Sequence, residues 1–181
     1  MRNSAAWTVV FGLLAAQSAA AQTAADVVDR ETLRAYVERA AEHAESNTDA
    51  AGAYEFFTGT FAPFGEWRTS GPDGVYVFVV TTDAMVVFHP ANPEIEGDDH
   101  SELVDENGVR LVVELVEAAR AGGDFVEYDV TIDGHPRQGD LKVSYGTLLE
   151  LAGGDDLVIA AGFHPETVSA LPFLDWLLNR P

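Results

Sequence analysis

In residues 26–47 the apolar positions Val27, Val28, Leu33, Tyr36, Val37, Ala40, Ala41 and Ala44 recur close to helical spacing, with charged residues between them. That spacing predicts a helix of about six turns at 3.6 residues each. Residues 51–60 continue the helical pattern after a break. Phe56, Phe57, Phe61 and Phe64 then run into Pro63, Gly65, Gly71, Pro72 and Gly74, a turn-rich loop that carries Trp67 and Arg68. From Val75 the period changes. Residues 75–81 and 85–89 are rich in β-branched and aromatic side chains, and only Thr82-Asp83-Ala84 separates them, so they read as a hairpin. Pro90 and Pro93 stop its second strand. Asp105-Glu106-Asn107-Gly108 leads into a helix whose Val109, Val112, Leu115, Val116 and Ala119 share a face, and Gly122-Gly123 ends it.

Three further strands follow at residues 125–132, 141–149 and 157–163, separated by turns at Asp133-Gly134 and Gly153-Gly154-Asp155. Two strands, a helical crossover and three meandering strands give an α+β fold. Its expected form is a five-stranded antiparallel sheet with a long N-terminal helix, a crossover helix, and helices on one side. A short helix at 166–178 is expected to close the chain, with Trp176 and Leu177 covering an end of the core.

The two ends change what counts as the folded unit. Arg2 precedes an apolar core at 5–16, and Ala19-Ala20-Ala21 offers the small residues a signal peptidase requires, so residues 1–21 read as a signal peptide cleaved near Ala21. Residues 22–181 then suit one domain with a full-sized core. The last apolar stretch, 171–178, is short and broken by Asp175, so no membrane span is expected in the mature form, which would be periplasmic or secreted. The chain has no cysteine, and its stability must come from packing.

Acidic residues outnumber basic ones by 30 to 10, for a net charge of -20. Such a field repels nucleic acid and anionic lipid, so neither is an expected partner. An anionic ligand would need a local positive group to overcome it.

Catalytic signatures are missing from the sequence. There is no cysteine nucleophile, Gly-x-Ser-x-Gly elbow, phosphate-binding Gly-x-x-x-x-Gly-Lys-Ser/Thr loop, Rossmann glycine fingerprint or His-Glu-x-x-His helix. His43, His135 and His164 are scattered. Glu94, Glu96, Asp98, Asp99 and His100 form an acidic loop without the EF-hand spacing, so no metal or cofactor is expected. An enzyme is the weaker hypothesis.

The candidates for binding are individual polar residues in the strand block. Lys142 is the only lysine. In so acidic a chain, an ammonium in a central strand calls for a charge partner, either a ligand or a neighbour such as Asp140 or Glu127. Tyr128 and Tyr145 lie in adjacent expected strands, where a phenol gives one hydrogen bond while its ring packs. His89 is held extended by Pro90, and its ring either meets a ligand or bridges strand and loop. Arg68, next to Trp67, either clamps a carboxylate or makes a surface ion pair.

Tyr76-Val77-Phe78-Val79, His89-Pro90, Asn92-Pro93 with Gly97, Asp105 with Gly108, Tyr128, Lys142 with Tyr145, and Ile159 with Gly162 follow one another in an order that resembles the single Cache domains of type 2. These are extracytoplasmic sensor modules of bacterial chemoreceptors and kinases. The resemblance implies a PAS-like antiparallel sheet with a long helix packed on it, and a pocket for a small metabolite, often a short carboxylate. On this chain it implies a ligand between the sheet and residues 89–106. Lys142 would supply affinity, Tyr128, Tyr145 and His89 orientation, and Phe78, Phe88 and Phe163 apolar wall, with Arg68 and Trp67 nearby. Signalling, as in chemotaxis, would pass to a separate membrane receptor or histidine kinase. The alternative is a docking accessory module with no small ligand, engaging a receptor through its acidic surface or Trp176, Leu177 and Leu178.

Overall fold

The computed structural model describes residues 22–71, 73–131 and 137–165. Helix α1 spans Arg30–Asn47, α2 Ala53–Thr60 and α3 Leu111–Arg120; the strands are β1 Val77–Thr81, β2 Val86–Phe88, β3 Asp124–Asp129, β4 Leu141–Leu149 and β5 Leu157–Phe163. The expected signal segment, His135 and the expected helix at 166–178 with Trp176 lie outside the described residues.

Helix α1 starts later than its apolar periodicity suggests because Asp29 caps it. The Asp29 carboxylate accepts the Thr32 N–H at 2.8 Å, while the Thr32 hydroxyl oxygen accepts the Asp29 N–H at 3.1 Å. This reciprocal box satisfies two of the donors that a helix start leaves free. Val27 and Val28 therefore precede the helix.

The hairpin between β1 and β2 turns at Ala84, a non-glycine residue with φ of 65°. That conformation is held by backbone bonds, with Thr81 N–H donating to Met85 O at 2.8 Å and Ala84 N–H to Thr81 O at 3.1 Å.

All neighbouring strands pair antiparallel in the order β2-β1-β5-β4-β3. The connection through α3 therefore carries the chain from one edge of the sheet to the other. The expectation of helices on one side is corrected here: α1 and α2 pack on one face and α3 on the other. On the first face Tyr36, Phe57 and Leu33 meet Val79, Tyr145 and Ile159. On the second, Leu115, Val116 and Ala119 meet Val80, Val126 and Val158. The cause is visible in β5, whose Leu-Val-Ile-Ala-Ala-Gly-Phe has no polar alternation because both of its faces are covered.

Candidate functional site

Side chains alternate across a strand, so β4 divides its residues between two environments. Val143 and Tyr145 face α1, whereas Lys142, Ser144 and Gly146 face the α3 side. Register brings Tyr128 of β3 directly opposite Lys142. Beside Lys142, β5 contributes Gly162, paired with Ser144. A methyl group there would lie 2.4 Å from Ser144 Oγ and 2.9 Å from Lys142 Cε, so the glycine gives the lysine stem its room.

Over this part of the sheet lies a cavity of about 360 Å³. Tyr76, Phe78, Tyr128 and Lys142 line it from the sheet, Phe64 and Arg68 from the loop before β1, and His89, Asn92, Ile95, His100 and Leu103 from the segment after β2. Leu111 and Val112 at the start of α3, and His164 after β5, complete much of the wall. No aspartate or glutamate is among the described lining residues, although the chain has 30 of them.

Lys142 is buried, at 8% exposure, and its Nζ donates to the Tyr76 hydroxyl at 3.4 Å while sitting 4.9 Å from the Tyr76 ring centre. No described acid pairs with it. Its sequence-level alternatives are occupied elsewhere: Glu127 binds Arg30, and Asp140 binds Arg137 at 3.1 Å. Burial works against the ammonium, and the Tyr76 hydroxyl oxygen that accepts from Nζ offsets only part of that cost. Burial also raises the Tyr128 pKa; its hydroxyl lies 3.3 Å from Ser144 Oγ.

His89 packs edge-on against Tyr76, with ring centres 5.1 Å apart. Burial first, and then the Lys142 charge, push its pKa down to about 4, so the ring is neutral at pH 7. Its Nδ1 is buried with no hydrogen-bond partner. His164 is likewise shifted down by burial and by Lys142, and its Nδ1 lies 3.1 Å from Leu141 O. Arg68 donates to Ala62 O at 3.0 Å and lies 4.4 Å over the Phe64 ring, and it joins none of the described ion pairs.

Two carboxylates hold the roof. Glu96 accepts the His89 N–H at 2.9 Å and the Tyr54 hydroxyl at 2.7 Å, tying the loop to the end of β2 and to α2. Asp105 accepts the N–H groups of Asn107 at 2.9 Å, Val109 at 2.8 Å and Asp129 at 2.9 Å. Burial works against its charge, but these donors hold its pKa below the ordinary carboxylate value.

Four of the six sequence candidates, Lys142, Tyr128, His89 and Arg68, thus meet at one cavity. The other two do not. Tyr145 is on the α1 face, where its hydroxyl donates to Glu38 Oε1 at 3.1 Å. Trp67 is buried in the same core, 5.2 Å from the Phe61 ring, with the Arg39 guanidinium 3.7 Å above it and Tyr36 donating to its carbonyl at 2.6 Å. Of the expected wall residues, Phe78 lines the cavity, whereas Phe88 and Phe163 belong to the α1-side core. Sequence reasoning did not select Tyr76 as a site residue. The available signal was its parity with Phe78, which places both on the same side of β1.

The family model for Single Cache domain 2 matches residues 18–163. The chain belongs to this single Cache family. Among solved structures, this Cache domain is similar to a periplasmic sensor domain of a chemotaxis protein, with 26% identity over 74% of this chain and 93% of that one and a TM-score of 0.57. It also resembles a methyl-accepting chemotaxis protein from Vibrio parahaemolyticus RIMD 2210633, with 21% identity over 75% of this chain and 88% of the other and a TM-score of 0.52. Cache domains are sensory modules, which agrees with a site made of a cavity and hydrogen-bond donors. No helix among the described residues is long and apolar enough to cross a membrane.

Proposed function

We propose that this Cache domain is an extracytoplasmic sensor-like module that holds a small organic acid in the cavity, its carboxylate against Lys142. The supporting observation is a buried ammonium without a described acidic partner, at a cavity that no described acid lines, in a chain of net charge -20. Desolvating a lone charge costs several kcal/mol, which a bound anion offsets.

The other groups suit the same task. Tyr76 and Tyr128 each have one hydroxyl proton to donate. His89 is neutral and offers an unpartnered Nδ1, so it orients the ligand without adding charge. Arg68 adds a second cation to the rim. The similarity to a periplasmic sensor domain at 26% identity supports a place outside the cytoplasm. The reading extends to a signal segment at 1–21, one domain at 22–181, and a membrane receptor or histidine kinase as the partner that responds to the cavity.

A thermal-shift screen tests the reading. A ligand at 100 times its Kd adds about 2.7 kcal/mol of stability. Carboxylates should raise the melting temperature while their neutral amides do not. Equal shifts with acid and amide, or no shift with any carboxylate, would overturn it.

A further inference from the structure

The cavity is larger and more apolar than a two- or three-carbon acid requires. Its 360 Å³ is many times the space that a single ordered water needs. An acid of four or five non-hydrogen atoms leaves most of that space to water. The cationic end at Lys142 is only one part of the lining. Phe78, Val80, Val86, Ile95, Leu111 and Val112 form an apolar wall contributed by β1, β2, the roof loop and α3. Water filling such a wall would find few hydrogen-bond partners.

Resting on the organic-acid reading above, we infer that the ligand is a bulky monocarboxylate, with an aromatic or branched apolar body packed against this wall and its carboxylate at Lys142. Ile95 is the residue that sets the size limit. It lies in the roof, is only partly buried, and packs against the α3-side core, so it narrows the apolar end without forming part of the central sheet.

The test is calorimetric titration of the full chain with acetate, propionate, phenylacetate, 3-phenylpropionate and 3-phenylpropionamide. Burying a phenyl ring removes on the order of 100 Å² of apolar surface from water. 3-Phenylpropionate should bind at least about thirtyfold more tightly than propionate, and the amide should lose most of that affinity. The Ile95→Trp variant should weaken 3-phenylpropionate at least tenfold and leave propionate within about twofold. Should Ile95→Trp fail to fold, the wild-type series decides alone. Propionate binding as tightly as 3-phenylpropionate would overturn this inference and leave the organic-acid reading standing. An amide as tight as its acid, or no binding by any acid, would overturn both.

Discussion

The two faces of the sheet use the same strands for opposite ends. The α1 face is closed: Tyr145, Trp67, Phe57 and Tyr36 interlock, and the polar atoms of Tyr145 and Tyr36 reach Glu38 and a backbone carbonyl. The α3 face is closed only where Leu115, Val116 and Ala119 sit on it. Beyond the start of that helix a loop takes over, and beneath it are an ammonium with no described acidic partner and an imidazole nitrogen with no hydrogen-bond partner. Of these groups, Tyr145 and Tyr36 are engaged in bonds that hold the first face together, whereas Lys142 and His89 on the second keep capacity for further bonds. Neighbouring residues of β4, such as Ser144 and Tyr145, fall on different sides of this division.

The comparison breaks most sharply at Tyr145. Tyr145→Ala should cost about 3 to 5 kcal/mol of stability, as truncation of a buried aromatic does, and leave ligand affinity unchanged where the variant folds. Denaturant unfolding and titration on one sample would show both; a large loss of affinity in a folded variant would erase the distinction between the faces.

Next in size is the pH dependence contributed by His89. The unfolded chain takes up this proton near pH 6.5 and the folded protein only near 4. Stability should therefore fall as pH drops through that window, by up to about 3 kcal/mol, and His89→Asn should flatten that slope. An unaltered slope in the variant would mean that the imidazole is not held neutral by the cavity.

On the ligand side, Lys142→Ala should cost about 1 to 3 kcal/mol in binding a carboxylate. Gly162→Ala, which forces the lysine stem aside, should reproduce part of that loss with Lys142 still present. The smallest effect should be Tyr145→Phe, which removes only the bond to Glu38 and should cost about 1 kcal/mol of stability with no change in affinity.

The elements were legible because their periods differ: helical spacing in α1 and α3, β-branched runs in the strands, glycine and proline at their ends. The two-sided burial was less so. A short apolar run such as that of β5 fits a core strand in several architectures, and only the placement of α3 opposite α1 makes both faces interior.

Within the site, Lys142 was legible from its rarity in an acidic chain, and His89 from the strand end and proline that hold it. Tyr145 was misplaced although parity was available, since residues three apart in one strand point to opposite faces. Trp67 gave no periodic signal from within its loop. Whether Lys142 had a neighbouring acid was not legible, because Glu127 and Asp140 are claimed by Arg30 and Arg137, and strand spacing alone does not reveal those pairings.

Because Lys142 is the only lysine, a chain labelled with ¹⁵N at lysine Nζ carries one ammonium signal, and it reports from the cavity itself. Titration with a carboxylate that raises the melting temperature should move that signal to a saturating new position, with the midpoint at the calorimetric Kd. An ammonium signal that stays in place while the protein is saturated would contradict the assignment of the acid to Lys142.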